Sequence, residues 1–129
     1  MHSKALHFIV KVEYLILAIF MAIFYVKVGD FDIAWYWPLL TYFAFDISMI
    51  GYLLNPRIGA LAYNVGHSLV GPGLLAIIYT LCLNEIVLFV TIIWLFHIFL
   101  DRAFGLGLKH TTGFHDTHLT PPQKPANKR

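Results

Sequence analysis

Residues 85–106 read EIVLFVTIIWLFHIFLDRAFGL. Twenty-two residues at about 1.5 Å each make a helix of about 33 Å, enough to cross the roughly 30 Å hydrocarbon core of a bilayer. The body of the stretch is Ile, Val, Leu, Phe and Trp, yet it carries His97, Asp101 and Arg102 toward one end. An Asp or Arg at the centre of a membrane helix costs about 2.5–3.5 kcal/mol on insertion scales, so such groups usually face a bundle interior and mark a functional position. The stretch therefore predicts a membrane helix that forms one wall of a polar site.

Working outward, the same reading extends to the whole chain. Of its 129 residues 59% are hydrophobic and 12% charged, with a mean hydropathy of +0.71, against about 45–50% and 25% in soluble domains. Three further apolar segments, Leu6–Val28, Ile33–Leu54 and Ile58–Leu83, precede Glu85–Leu106. Between them stand GDFD at 29–32, NPR at 55–57 and CLNE at 82–85, where Gly, Asp, Asn and Pro punctuate the apolar runs. The expected fold is all-α, an integral membrane four-helix bundle with short loops and a C-terminal cytoplasmic segment. Residues 1–119 form one transmembrane domain ending in a His-rich segment, and residues 120–129, TPPQKPANKR, form a flexible basic tail.

Several function classes drop out. A separate soluble domain does not fit the length. The single cysteine, Cys82, excludes an internal disulfide, and no Gly-rich phosphate loop, CxxC pair or serine nucleophile elbow is present. Lys11, Glu13 and Lys27 interrupt the first segment, which reads as a mature helix and not as a signal peptide. Trp35, Tyr36 and Trp37 predict an interfacial aromatic belt. The net charge of +2 reflects topology and not nucleic acid. With four spans, Lys4, Lys11, Arg57, Arg102, Lys109, Lys124, Lys128 and Arg129 share one side and only Lys27 lies on the other. The positive-inside rule then puts both termini in the cytoplasm, in the inner membrane, with the lipid bilayer as the surrounding partner.

Every helix carries polar groups: Glu13 on the first, Asp46 on the second, Tyr63, Asn64 and His67 on the third, His97 and Asp101 on the fourth. Asp46 precedes Asn55 by nine residues and His67 follows Arg57 by ten, which places both about 13–15 Å from the cytoplasmic loop. His97 is twelve residues from Glu85 at the opposite surface, about 18 Å in, and Asp101 lies one turn further. Glu13 falls at a comparable depth. Residues four apart share a helix face, so His97 and Asp101 address one centre, as do Tyr63 or Asn64 with His67. Two imidazoles and two carboxylates, Asp46, His67, His97 and Asp101, are a donor set that zinc accepts tetrahedrally; iron and manganese also accept it. Tyr63, Asn64 and Asp116 would form a supporting polar shell. The competing reading is interhelical glue, with Asp46 accepting from Tyr63 or His67 and Asp101 pairing with Arg102 and His97.

After the fourth helix comes LGLKHTTGFHDTHL, residues 106–119, broken by glycines and expected to turn back across the cytoplasmic mouth. Its His118 and Asp116 would complete a metal shell or supply acid and base, while His110 and His115 would sit near anionic headgroups. His2 and His7 read as surface residues.

KVEYL at 11–15, NPRIGALAYNVGH at 55–67 and WLFHIFLDRAFGLGLKHTTGFHDTHL at 94–119 resemble the DUF4260 family of small bacterial membrane proteins, a domain of unknown function. The resemblance covers nearly the whole chain up to Leu119 and implies a four-helix membrane fold. The order Asp46, His67, His97-x-x-x-Asp101 is also similar to the ligand order of one zinc in zinc-dependent phospholipase C enzymes and to HxxxD helices of membrane metal hydrolases. Those phospholipases are soluble and longer, and they use a terminal tryptophan and a His-x-x-x-Glu pair that this chain lacks.

The resulting functional expectation is a zinc-dependent membrane hydrolase acting on a lipid or lipid-linked phosphoester at the cytoplasmic leaflet. Asp46, His67, His97 and Asp101 would hold the metal, Glu13 or His118 would act as general base or acid, and Arg102 would hold the phosphate. Two rivals stand beside it. One is a non-catalytic helix bundle, alone or within a larger complex, whose polar core is structural. The other is a haem protein with His67 and His97 as axial ligands.

Overall fold

The structure is a computed structural model that describes residues 3–47 and 53–106. Among the described residues five helices follow one another: α1 (Ser3–Val28), α2 (Trp37–Ala44), α3 (Pro56–His67), α4 (Val70–Cys82) and α5 (Glu85–Ala103). No strand occurs among the described residues. Three stretches are long and apolar enough to cross a membrane: Ser3–Val28, Pro56–Cys82 and Glu85–Ala103. The described residues form an all-α membrane bundle of four helical rods, the third of which is broken. The His-rich segment with His110, His115, Asp116 and His118, the basic tail, and residues 48–52 of the expected second span lie outside the described residues.

α5 is the central rod and packs against α1, α2 and α4. Its start is set by Asn84, whose side-chain oxygen accepts from the backbone N–H of Ile86 at 2.9 Å and of Val87 at 3.2 Å. Such a cap satisfies two N–H groups that have no partner inside the helix. The preceding Leu83 takes the left-handed conformation that closes α4, φ 51°, so two residues suffice to turn α4 into α5. At the other end Gly105, φ +87°, reverses the chain: Leu106 N–H donates to the Asp101 carbonyl at 2.8 Å and Gly105 N–H to the Arg102 carbonyl at 3.0 Å. That pair of bonds is a Schellman motif, and it ends α5 just beyond its polar residues.

α1 runs antiparallel to α5, with Tyr14 beside Phe99 and Tyr25 beside Phe89. Ala18 and Met21 of α1 and Ile92 and Phe99 of α5 form the apolar core between them. The outer faces carry Ile16, Leu61 and Leu81, all exposed. An apolar surface of this extent exceeds the patches soluble monomers tolerate and suits lipid.

Two segments depart from the expected boundaries, and proline explains both. The second helix begins at Trp37 and not Ile33, because Pro38 lies in its first turn. A proline ring excludes the helical carbonyl four residues back, which here is that of Ala34. Residues 33–36 instead form turns, in which Ile33 N–H donates to the Phe31 carbonyl and Trp37 N–H to that of Ala34. After Ala44 the chain tightens into a 3₁₀ turn over residues 45–47, which carries Asp46. The third segment, expected as one helix over Ile58–Leu83, breaks at Ser68 and Leu69. Pro72 lacks the N–H that the Ser68 carbonyl would need, and its ring blocks that carbonyl. Ser68 turns extended, φ −86° and ψ 146°, and α3 therefore ends at His67.

Candidate metal centre

The broken rod, the 3₁₀ turn and α5 converge on four side chains. His67 Nε2 lies 3.0 Å from His97 Nε2. His67 Nε2 is 3.4 Å from Asp46 Oδ1 and 3.3 Å from Asp101 Oδ2. His97 Nε2 is 3.2 Å from each of the same two oxygens. One ligand atom from each residue falls within 4.8 Å of all the others, so the group can hold a metal ion. Ligands 2.0–2.2 Å from a tetrahedral centre stand about 3.3–3.6 Å apart, and the five distances between 3.0 and 3.4 Å come close to that figure.

Proton counting explains why a cation suits this arrangement. His67 Nδ1 lies 3.0 Å from the Tyr63 carbonyl. A carbonyl only accepts, so Nδ1 carries the proton and Nε2 of the neutral ring presents its lone pair inward. The cluster then offers three acceptors plus His97 Nε2. One proton on His97 can fill the contact between the imidazoles but leaves the carboxylates uncompensated. Protonating both rings sets two N–H groups head to head at 3.0 Å. A divalent cation would engage all four lone pairs and cancel both carboxylate charges, which is the usual condition for charge inside a membrane bundle.

Each side chain of the cluster is held by its surroundings. The Tyr63 ring stacks on His67 with centroids 3.8 Å apart and planes 7° from parallel, one turn back along α3. The Nδ1–H bond to the Tyr63 carbonyl fixes the His67 tautomer, as an outer partner of a metal-bound histidine does. His97 is wholly buried, with Tyr42 at 4.3 Å and Phe45 at 5.8 Å between ring centroids. Its Nδ1 makes no completed hydrogen bond among the described residues, a local cost of aiming Nε2 at the cluster. Asp101 follows His97 by one turn and is largely covered, with 15% of its side chain exposed. Asp46 is the open member at 38%.

Not every residue singled out by the sequence joins the group. Arg102 is buried, and its guanidinium donates to Tyr14 Oη at 2.9 Å, lies 5.2 Å over the Tyr14 ring, and reaches toward the His67 carbonyl at 3.5 Å. It links α1 to the end of α3 through Tyr14 and the His67 backbone. Asn64 is half-buried on α3. Glu13 is exposed on α1 and is not part of the cluster, because α1 turns Tyr14, Ala18 and Met21 toward α5. Asp116 and His118 lie outside the described residues. A cavity of about 500 Å³ lined by Phe31, Trp37 and Phe89 opens beside Glu85 at the far end of α5, about 18 Å along the helix from His97. Tyr42, Pro72 and Trp94 were not singled out from the sequence, although Pro72 is signalled there by its flanking glycines, Gly71 and Gly73.

No curated protein and no solved structure matches the chain. A family model does, over residues 7–121, and its description is "domain of unknown function". The match takes in all four rods and every residue of the cluster, and the chain belongs to that family, DUF4260.

Proposed function

We propose that this protein is an intramembrane metal-dependent hydrolase whose ion is held by Asp46, His67, His97 and Asp101 and whose substrate is a lipid or lipid-linked phosphoester. The observation that carries the reading is the convergence of four metal-competent atoms from three separate parts of the fold. Zinc is the first choice, and iron or manganese fits the same donors. When bound, such an ion lowers the pKa of a coordinated water toward about 7 and polarises a phosphoryl oxygen. His67, His97 and Asp101 are the covered ligands, and three protein ligands with one accessible position is the catalytic pattern for zinc. Asp46 stands on a 3₁₀ turn and is the most exposed of the four, so its carboxylate is the one that would yield its place to water and take a proton from it. That role replaces the one expected of Glu13. Arg102 is engaged with Tyr14 and the His67 backbone, so holding a phosphate is not assigned to it.

A closed structural metal site is the second reading, favoured by the count of four protein ligands and by the charge balance of two carboxylates with one divalent ion. Axial haem ligation is disfavoured, because Nε2 atoms 3.0 Å apart leave no room for a porphyrin plane between them. Asp46→Asn separates the first two readings. In mixed micelles containing a short-chain phosphodiester lipid with a nitrophenyl leaving group, the metal-loaded wild type is expected to turn over. Asp46→Asn is expected to retain metal and lose about 100-fold or more in rate, within the usual contribution of a general base. Equal rates for metal-loaded and metal-free wild type would leave the structural reading standing.

The same proposal places the protein in the inner membrane with both termini in the cytoplasm. Cys82 tests this directly, since it is the chain's sole cysteine, is exposed, and ends α4. A membrane-impermeant maleimide is expected to label it in intact spheroplasts. Labelling only after lysis would reverse the orientation.

A further inference from the structure

We propose that the break in the third rod is a positioning device for His67: Pro72 ends α3 at that residue, and Trp94 and Arg102 of α5 take two of the backbone carbonyls the break releases. The proposal rests on the metal reading above. In an uninterrupted helix the Gly66 and His67 carbonyls would accept from the N–H groups of Val70 and Gly71. The Val70 N–H is instead 3.2 Å from Ser68 Oγ. At membrane depth an unpaired carbonyl costs several kcal/mol, so a break persists only where protein supplies other donors. Here the Trp94 indole N–H donates to the Gly66 carbonyl at 2.5 Å, and Arg102 Nη2 reaches toward the His67 carbonyl at 3.5 Å.

Both donors belong to the helix that provides His97 and Asp101. Trp94 lies three residues before His97, and Arg102 immediately follows Asp101. One rigid element thus carries two ligands and grips the peptide groups around a third. The Trp94 ring is itself braced: Phe45 stacks on it at 4.9 Å with planes 15° apart, and Gly71 approaches so closely that a Cβ there would overlap the indole. Phe45 adjoins Asp46, so the same indole supports the turn bearing the fourth ligand. From α1, Tyr14 holds the Arg102 guanidinium.

The consequence of removing the break follows from how the rods pack. α4 packs along α5, whereas the hydrogen-bonding contacts from α3 to α5 gather at Gly66 and His67. A continuous helix aligned with α4 would carry the end of α3 off α5 and take His67 with it.

Cobalt(II) titration of the full chain in detergent tests this, since its d–d absorption reports ligand geometry. Wild type is expected to bind one cobalt per chain with a tetrahedral spectrum. Pro72→Ala and Trp94→Phe are each expected to weaken binding about 10–100-fold, the usual cost of losing outer-shell support, and to shift the bands. Far-UV circular dichroism should show helix retained, because alanine favours helix and phenylalanine keeps the aromatic packing. Arg102→Lys, which keeps the charge but not the fork of donors, should also shift the bands. Trp35→Phe, at an exposed position, should match wild type. Folded Pro72→Ala and Trp94→Phe proteins with wild-type affinity and spectrum would overturn the positioning role and leave the metal site intact. A wild type that binds no cobalt would overturn both.

Discussion

Replacing His97 by alanine is expected to abolish stoichiometric metal binding, lowering affinity by well over about 100-fold. That exceeds the roughly 10–100-fold cost of disturbing an outer partner, because a ligand itself is lost. His97 Nε2 is within 3.2 Å of three other ligand atoms, so no neighbouring ring can take its place without moving a rod. The ring is also fully buried between Tyr42 and Phe45, and truncation leaves a cavity there. Asp101→Asn is the companion that keeps shape and removes charge; it should fold like wild type and bind metal far more weakly. Equilibrium dialysis with zinc followed by elemental analysis reads both. If the four side chains were only interhelical glue, wild type and both variants would carry equally little metal.

Chelation is the second large effect. If the cluster holds an ion as proposed, stripping it would leave two carboxylates facing two imidazoles at 3.2–3.4 Å. Binding to the folded state alone adds RT ln(1 + [L]/Kd), about 2.7 kcal/mol at a hundredfold excess over Kd, and a chelator removes that contribution. Thermal unfolding in detergent should therefore shift downward on adding EDTA and recover on adding excess zinc, while His97→Ala should respond to neither. The cluster joins the turn after α2, the end of α3 and the C-terminal part of α5, so the loss should appear as looser packing among those elements. An unfolding curve indifferent to EDTA in the wild type would count against the site.

The cluster was legible in the sequence because it depends on little besides axial rise and antiparallel order. Counting residues from the NPR turn and from Glu85 puts Asp46, His67, His97 and Asp101 in one layer, and a spacing of four puts the last pair on one face. Rotation about the axis was less legible. α1 is apolar nearly all round, so no hydrophobic contrast says which face meets α5; Tyr14, Ala18, Met21 and Tyr25 do, and Glu13 is left outside. The break at Ser68 was written in Gly71-Pro72-Gly73, but hydropathy reads through it because the residues that follow it, 69–76, are all apolar or small. Arg102 shows the limit most plainly. Its charge suggests a phosphate ligand, and the structure adds that the guanidinium donates to Tyr14, eighty-eight residues away in the chain.

The central claim is that these four side chains surround one divalent ion. X-ray absorption at the metal edge of the protein, purified in metal-supplemented buffer, tests it most directly. The account expects one metal per chain, a nitrogen and oxygen shell at about 2.0–2.2 Å, and outer-shell scattering from two imidazoles. A sulfur shell near 2.3 Å, or protein purified without stoichiometric metal, would contradict it.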